Sequence, residues 1–223
     1  MYSKKRQHLK KRKVSRPVLV YVIGRPGSGK TTLAKLTCRA LNESNIEATI
    51  VSDYEFLSRV FADQSSEGKL YVPCADGGYL VLTERVFDNA IRKLSNKIGQ
   101  IAHGQVILAE FSRSNYRDSF RLLDLEGCIP DLVAYLEASF ETCLRRNEIR
   151  RADPDANDTH YVSREEMAKT YRVDDVDRIQ LLYGRQFIRL DNELDGLFNA
   201  SKVARKLARI IASKVKRRFV SKK

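Results

Sequence analysis

The chain has 223 residues, with 41 Lys and Arg against 28 Asp and Glu, and a formal net charge of +13. This length suits one α/β domain, and no apolar run approaches the ~18 residues of a membrane-spanning helix, which argues against an integral membrane protein. The four scattered cysteines form no CxxC pair, which argues against a disulfide framework or cysteine metal site and favours a reducing, cytoplasmic location.

The positive charge is concentrated at the two ends of the chain. Residues 1–16 contain eight Lys and Arg, residues 197–223 contain ten, and neither segment contains an acid. The remaining 23 basic residues stand against 28 acids, so the middle of the chain carries a net charge of −5. We therefore expect a basic disordered arm at 1–16, a folded domain at 17–216 and a basic tail at 217–223.

The first predicted strand, at residues 18–23, leads into the most specific motif of the chain. Residues 24–32 read GRPGSGKTT, which fits the P-loop pattern of a glycine, four free positions and Gly-Lys-Ser/Thr. Apolar residues then recur at helical spacing to about residue 42. This order of strand, loop and helix predicts a nucleotide-binding loop formed by Gly24, Pro26, Gly27, Ser28, Gly29, Lys30, Thr31 and Thr32.

The residue types of this loop suit ATP and Mg²⁺. Glycines let several backbone N–H groups turn towards one phosphate chain, and the helix that follows adds the positive end of its dipole. Lys30 is expected to reach the β- and γ-phosphates, and the Thr31 hydroxyl is expected to hold Mg²⁺.

The rest of the chain alternates between strands and helices. A parallel five-stranded, doubly wound sheet in three layers, with a P-loop and a helical lid, is the fold that this alternation predicts. Residues 64–78 are rich in Ser, Gly, Asp and Pro and are predicted to be irregular. Strands are predicted at 47–52, 105–110, 131–137 and 187–190, and helices at 56–61, 79–98, 114–125, from Ser139 onward, 163–171 and 200–215.

Two carboxylates follow predicted strands and are therefore expected beside the P-loop. In open α/β sheets, ligands gather at the carboxyl ends of the strands. Asp53 is predicted to be the general base for an attacking hydroxyl, with an N-cap of the following helix as the alternative. Glu110 is predicted to hold Mg²⁺ through water or to act as the base itself, with an exposed strand-end carboxylate as the alternative.

Arginines form the second group of predicted catalytic residues. Arg146 and Arg150 lie one turn apart on a predicted helix, and we expect them to close over the transferring phosphoryl group as part of a lid at about 145–170. A solvated basic helix face is the alternative. Arg113 is a weaker candidate for contact with a phosphate or a substrate acid, and His160 is expected to be a surface residue.

These motifs together resemble the P-loop kinases of the nucleoside and nucleotide kinase group. Besides the P-loop, residues 130–146 (PDLVAYLEASFETCLRR) resemble the "PDxxxYLxxSPExCxxR" segment of deoxynucleoside and thymidylate kinases. Residues 187–193 (FIRLDNE) are similar to the final strand of such kinases, near which the adenine lies. The resemblance covers about residues 17–212 and implies the lid-arginine role for Arg146 and Arg150.

Two features depart from the deoxynucleoside kinase pattern. The acid and the arginine after the third predicted strand are separated, as Glu110-Phe111-Ser112-Arg113, and the acid after the second strand is Asp53. An aspartate after the second strand resembles the pattern of polynucleotide kinases, zeta-toxin-like kinases and small sugar kinases. A nucleoside monophosphate is already an anion and needs no base, so Asp53 favours a hydroxyl acceptor.

Three functions remain open at this point. The first is ATP- and Mg²⁺-dependent phosphorylation of a hydroxyl on a nucleoside- or nucleotide-like small molecule. The second is phosphorylation of polynucleotide 5′-hydroxyls, with the basic ends binding nucleic acid; those ends otherwise only solubilise the protein or make weak contacts with anionic surfaces. The third is a P-loop switch or motor, for which no second ATPase motif stands out. The oligomeric state is not indicated.

Overall fold

The computed structural model describes residues 16–101, 104–152 and 161–219. Most of the predicted basic arm, residues 153–160 of the predicted lid with His160, and the last four residues of the chain lie outside the described residues.

The described residues form alternating strands and helices. The strands are β1 (Val18–Ile23), β2 (Ala48–Ser52), β3 (Tyr71–Pro73), β4 (Tyr79–Val81), β5 (Val106–Phe111), β6 (Leu132–Glu137) and β7 (Phe187–Asp191). The helices are α1 (Lys30–Asn42), α2 (Tyr54–Ala62), α3 (Arg85–Gln100), α4 (Tyr116–Leu125), α5 (Phe140–Ala152), α6 (Arg164–Thr170), α7 (Val176–Tyr183) and α8 (Leu197–Phe219). Short 3₁₀ turns cover Gln64–Ser66 and Gly184–Gln186.

The described part of the chain contains a five-stranded parallel sheet in the order β2-β5-β1-β6-β7. The strand β1 lies in the centre and carries the P-loop at its carboxyl end. From β1 the chain crosses to the edge strand β2, returns to β5 between these two strands, and then continues to β6 and β7 on the other side of β1. This crossing to both sides of β1 confirms the predicted doubly wound α/β fold.

Both faces of the sheet are covered by helices, which explains why β1 is apolar at every position. Val18, Val20 and Val22 belong to a buried cluster with residues of α1 and α8. The alternate residues, including Leu19 and Tyr21, belong to a second cluster with residues of α3 and α4. Successive strand residues point to opposite faces, so a strand buried on both sides loses its polar alternation.

The predicted helix over residues 79–98 is wrong at its first turn. Residues 79–81 form β4, which pairs antiparallel with β3, and the helix α3 begins only at Arg85. The turn between the two strands is closed by hydrogen bonds from Cys74 N to Gly78 O and from Gly77 N to Cys74 O. The segment 64–78, which was expected to be irregular, therefore contributes one strand of a hairpin.

The carboxyl-terminal helix differs from its predicted bounds at both ends. Helix α8 runs from Leu197 to Phe219, so residue 216 does not mark the end of the folded domain. Both Arg218 and Arg16 form ion pairs with Asp131 beside β6, which attaches two residues of the basic ends to the domain. Helix α7 was absent from the sequence-based prediction. Within the described ranges, no helix has the length and apolar character that a membrane crossing requires.

Candidate active site

The two predicted carboxylates lie together at the carboxyl ends of adjacent strands. In the register of the sheet, Glu110 of β5 stands between Val22 of β1 and Ser52 of β2. Asp53 follows directly, and its backbone N–H donates to the carbonyl of Glu110 at 3.2 Å. Both side chains are buried, with 4% of Asp53 and 5% of Glu110 exposed. The expected convergence beside the P-loop is therefore found in the structure.

Asp53 does not use its side chain to cap α2, although it occupies the N-cap position. Among the described residues it makes no side-chain capping hydrogen bond, and its carboxylate instead forms an ion pair with Arg113 at 2.5 Å. Burial raises the pKa of Asp53, and the neighbouring Arg113 opposes that rise. A buried carboxylate with a raised pKa and one cationic partner has the environment expected of a general base.

The P-loop presents polar groups that suit a phosphate chain. Gly27 and Gly29 have positive φ, and no side chain of the described residues caps the amino end of α1 at Gly29. The buried Ser28 hydroxyl has no hydrogen-bond partner in the described part of the chain. Lys30 donates from Nζ to the carbonyl of Arg25 at 2.8 Å, and burial lowers the pKa of Lys30 to about 8. Uncapped N–H groups beside a buried cation favour an anion.

Thr31 and Glu110 lie in direct contact. The Thr31 hydroxyl donates to Glu110 Oε1 at 2.6 Å, and burial raises the pKa of Glu110. One hydroxyl and one carboxylate next to a phosphate-binding loop fit Mg²⁺, which completes its coordination with water and substrate phosphate oxygens. The residues of this chain therefore fit the metal ion that the P-loop implies.

Several contacts hold the P-loop in place from distant parts of the chain. Asn192, just after β7, donates from its amide to the carbonyl of Ser28 at 2.7 Å. The N–H of Gly24 donates to the Tyr116 hydroxyl at 3.0 Å. Arg25 turns away from the loop and forms an ion pair with Asp174 at 3.4 Å, between α6 and α7. The loop is therefore fixed to β7, α4 and the segment after the predicted lid.

Arg146 and Arg150 both line a pocket on one side of the P-loop, together with Gly27, Gly29 and Thr32. We name it the nucleotide-side pocket, after the predicted role of this loop. Arg146 is anchored by Asp195, from Nε to Oδ1 at 2.7 Å, and its NH1 atom is buried without a hydrogen-bond partner in the described residues. Burial lowers the pKa of Arg150, and Glu110 opposes this effect. The predicted pair thus faces the same pocket, rather than solvent alone.

A second pocket lies on the other side of the P-loop. Its lining begins at Pro26 and includes Asp53, Arg113 and the buried carboxylate of Glu166. Its walls are largely aromatic and are contributed by Tyr54, Phe61, Tyr79, Phe87, Tyr161 and Tyr171. Pro26 lines one pocket and the adjacent Gly27 lines the other, so the loop separates two binding spaces.

Much of this second pocket was not predicted from the sequence. Glu166 and Tyr79 carried no motif, and Arg113 was expected to meet a substrate rather than Asp53. The helix α6 that carries Glu166 was predicted, but nothing in its pattern distinguished Glu166 from its exposed neighbour Glu165. Hydrogen-bonding partners so distant in sequence leave no periodic signal.

Gly27→Ala is expected to damage the loop through a steric clash. A Cβ at this position would lie 2.2 Å from the carbonyl oxygen of Cys143, and φ is +82°. Gly127→Ala provides the control, because Gly127 has φ +75° with no atom within 4 Å of an added Cβ. We expect Gly127→Ala to cost about 1 kcal/mol of unfolding free energy, and Gly27→Ala about 3 kcal/mol.

Urea unfolding measures both costs, and calorimetry with ATP measures binding. Gly27→Ala should also abolish ATP binding, whereas Gly127→Ala should retain it. Equal costs in the two variants would show that the close approach to Cys143 is relaxed easily.

With this geometry established, the chain can be placed among known proteins. Residues 19–175 match the model of the AAA_33 family, described as "AAA domain". The chain belongs to the AAA_33 family. Adenylate kinase 8 of Xenopus tropicalis and that of Xenopus laevis are each 27% identical over 136 residues, which is 60% of this chain and 25% of the relative. The chain therefore spans about a quarter of the curated relatives it matches.

Solved structures with this fold include several kinases. A putative kinase from Chloroflexus aurantiacus has a TM-score of 0.56 at 17% identity, covering 90% of this chain and 98% of its own. A gluconokinase from Sinorhizobium meliloti has a TM-score of 0.55 at 13% identity, covering 89% and 98%. The Mycobacterium tuberculosis APS kinase, in complex with AMPPNP and APS, has a TM-score of 0.52 at 15% identity, covering 90% and 98%. These similarities confirm the P-loop kinase fold.

Proposed function

We propose that this protein is an ATP- and Mg²⁺-dependent phosphotransferase that transfers the γ-phosphoryl group to a hydroxyl of a nucleoside- or nucleotide-like small molecule. The observation that carries the proposal is the pair of pockets that meet at the P-loop. One contains the phosphate-binding glycines and two arginines, and the other contains a buried carboxylate with a raised pKa. A nucleotide hydrolase needs only the first pocket, whereas a kinase needs both.

The residues divide the reaction between the two sides of the loop. Asp53 accepts the proton of the acceptor hydroxyl while the oxygen of that hydroxyl bonds to the γ-phosphorus. The bond between the γ-phosphorus and the β–γ bridging oxygen breaks, and ADP is released. Lys30, Arg146 and Arg150 neutralise the charge that develops on the phosphoryl oxygens. Thr31 and Glu110 would hold Mg²⁺, which supplies additional charge neutralisation on the phosphates.

The similar proteins support the proposal, because they are named as an adenylate kinase, a gluconokinase and an APS kinase. We also propose that the protein is related more narrowly to deoxynucleoside and thymidylate kinases. It differs from them in having an aspartate, Asp53, after the second strand, as polynucleotide kinases do. We also propose a reducing, cytoplasmic setting, because the described cysteines, Cys38, Cys74, Cys128 and Cys143, are all free thiols.

ATP affinity is expected to depend on pH through Lys30. Its pKa is lowered to about 8 by burial in the free protein, and a bound phosphate chain would raise it again. The ammonium is therefore lost from the free protein first as the pH rises. Above pH ~8 the logarithm of the ATP dissociation constant should rise by up to about one unit per pH unit.

Lys30→Arg supplies the control for this dependence, because a guanidinium keeps its charge throughout the range. Calorimetric titrations with ATP should show a sloping profile for the natural protein and a flat one for the variant. Parallel slopes in the two proteins would assign the titration to another group.

A transfer screen with γ-labelled ATP tests the function directly. We expect label on small nucleoside-like alcohols, with ADP formed in equal amount. Release of free phosphate with no acceptor labelled would contradict the proposal and favour a P-loop switch or motor.

A second candidate, phosphorylation of polynucleotide 5′-hydroxyls, is favoured by the surface of α8. Lys202, Arg205, Lys206 and Arg209 line an open groove with Phe198, whose side chain is 88% exposed. Each such cation near a phosphate backbone adds salt-dependent, sequence-independent affinity, and an exposed aromatic ring can stack on a base. This groove adjoins the nucleotide-side pocket through Leu197, which lines both.

The two candidates differ in where the label appears. Label on oligonucleotide 5′ ends, lost in a Lys202→Glu/Arg209→Glu variant while the phosphorylation of small acceptors persists, would support the polynucleotide reaction. Label confined to small acceptors in both proteins would leave the α8 groove without a part in catalysis.

A further inference from the structure

The second pocket, which begins at Pro26 and contains Asp53 and Glu166, is named the acceptor-side pocket, and it contains polar atoms that the described residues do not satisfy. Arg113 Nε and Glu166 Oε1 are buried without a hydrogen-bond partner in the described residues, and both residues line this pocket. Asp53 and Arg113 form an ion pair with each other. Glu166 differs, because the described residues supply no cationic contact to its carboxylate within ion-pairing distance.

Glu166 is held firmly in position by backbone contacts. The side chain is only 2% exposed, and Oε2 accepts a hydrogen bond from the N–H of Val81 in β4 at 2.9 Å. The N–H of Glu166 donates to the Ser163 hydroxyl at 3.1 Å, which fixes the first turn of α6. One carboxylate oxygen is therefore occupied, and the other is left as an acceptor in a buried environment. An unmet buried acceptor is costly, and a ligand that donates to it removes that cost.

The walls of the pocket indicate the shape of the ligand. Phe61 and Tyr79 are stacked with their ring planes 13° apart and centroids 4.7 Å apart. The aromatic lining continues with Tyr54, Phe87 and Tyr171. Aromatic faces and edges of this kind favour a flat ring over a polyol, because a polyol leaves its hydroxyls desolvated against apolar surface.

The charge of the lining indicates the charge of the ligand. Asp53 and Arg113 compensate each other, so Glu166 leaves the described lining with a net charge of −1. Just outside the lining, Glu84 and Lys169 add one charge of each sign and cancel. An anionic acceptor would therefore meet an unpaired carboxylate in a region of low dielectric constant.

We infer that the acceptor is an uncharged, nucleoside-like aromatic alcohol whose ring carries an exocyclic amine that donates an N–H to Glu166 Oε1, and that Glu166 determines this specificity. The inference rests on the proposed kinase function and narrows its acceptor. It excludes nucleoside monophosphates and anionic polyols as preferred acceptors.

Calorimetric binding to the full chain and transfer from γ-labelled ATP test the inference together. The probes are three pairs of ribonucleosides that differ in one exocyclic amine: adenosine with purine riboside, guanosine with inosine, and cytidine with zebularine. Adenosine 5′-monophosphate and D-gluconate represent the anionic classes. We expect at least one amine-bearing nucleoside to bind at least about 10-fold more tightly than its partner and than both anions.

Glu166→Gln tests the assigned residue. Its amide oxygen can still accept from Val81, while its NH₂ group replaces the free acceptor with a donor. The preference within the selected pair should fall towards one, while the dissociation constant of ATP stays within about threefold because Glu166 does not line the pocket with the phosphate-binding glycines. Glu165→Gln, at the exposed neighbouring position, should leave the preference intact.

The outcomes separate this inference from the proposed function. Binding of amine-bearing nucleosides without transfer of label would support the acceptor assignment and contradict the kinase function. Label on the monophosphate or gluconate in preference to neutral nucleosides would overturn the inference while the kinase function stands. Equal binding within every pair, or an unchanged preference in Glu166→Gln, would also overturn it. Binding of the three ribonucleoside pairs to the natural protein tests the preference for the amine even if Glu166→Gln does not fold.

Discussion

Asp53→Asn is expected to lower the kcat of phosphoryl transfer by about 100- to 10,000-fold, the range expected when a general base is removed. The amide cannot accept the proton of the acceptor hydroxyl, although it keeps the shape of the carboxylate. ATP binding should change little, because Asp53 lines the acceptor-side pocket and not the nucleotide-side pocket. Rapid-quench measurement of the transfer step, together with ATP calorimetry, separates the two effects.

The pH profile of the reaction identifies the base further. Asp53 must be ionised to accept a proton, and burial raises its pKa above the ordinary 3.8. The value of kcat/KM should therefore fall as the pH drops through that raised pKa. This acidic limb of the pH–rate profile should disappear in Asp53→Asn. If the limb and most of the activity survive, the base is Glu110, whose pKa is also raised by burial.

A control is needed because the substitution also alters a buried ion pair. Breaking a buried pair by removing one partner costs about 3–5 kcal/mol when the remaining charge is left uncompensated. The asparagine oxygen can still accept from Arg113, so we expect a smaller loss in thermal unfolding. Asp88→Asn, at an exposed position in the first turn of α3, should leave the rate unchanged and lower stability by less than about 1 kcal/mol, because it removes a negative charge from the positive end of the helix dipole. If Asp53→Asn is fully folded and still slow, the lost rate belongs to the phosphoryl-transfer step and not to a loss of stability.

Arg150→Ala should lower kcat by about 1,000-fold or more, as expected when an arginine that neutralises transition-state charge is lost. Arg150 is half-buried at the nucleotide-side pocket, in the electrostatic range of both Lys30 and Glu110. A cation in this environment acts on the phosphoryl oxygens most strongly when charge develops there. The KM for ATP should rise much less than kcat falls.

Arg145→Ala is the matched control on the same helix. Arg145 forms an ion pair with Asp195 at 2.7 Å, as Arg146 does, but it is half-exposed and does not line the pocket. Its loss should leave kcat within about threefold of the natural value. Steady-state kinetics with saturating acceptor distinguish the roles: a raised KM with unchanged kcat in Arg150→Ala would mean that Arg150 only binds the ground state.

The nucleotide side of the site could be predicted from the sequence because its determinants are contiguous. The P-loop lies within nine residues, and its flanking strand and helix have strong apolar periodicity. Asp53 and Glu110 could also be placed, since parallel strands bring their carboxyl ends to one edge of the sheet. The roles assigned to Lys30, Thr31, Arg146 and Arg150 stay predictions, and the variants Lys30→Arg and Arg150→Ala test two of them.

The acceptor side depended on contacts between distant segments. Asp53 and Glu166 are 113 positions apart, yet they line one pocket because α6 packs against the β3–β4 hairpin through Gly78 and Ser163. A Cβ at Gly78 would lie 2.5 Å from the backbone nitrogen of Ser163. Three-residue strands have too few positions to show a period, so Tyr79 could be mistaken for the start of α3.

The sequence by itself determined that a doubly wound α/β domain carries a phosphate-binding loop, because local hydrogen bonding and apolar periodicity are encoded by neighbouring residues. Only the tertiary structure decided that Arg113 pairs with Asp53, that Arg25 is used to anchor the loop, and that Glu166 keeps a free carboxylate oxygen in an aromatic pocket. These contacts depend on how distant segments pack against each other. Such packing produces no pattern at a fixed spacing in the sequence.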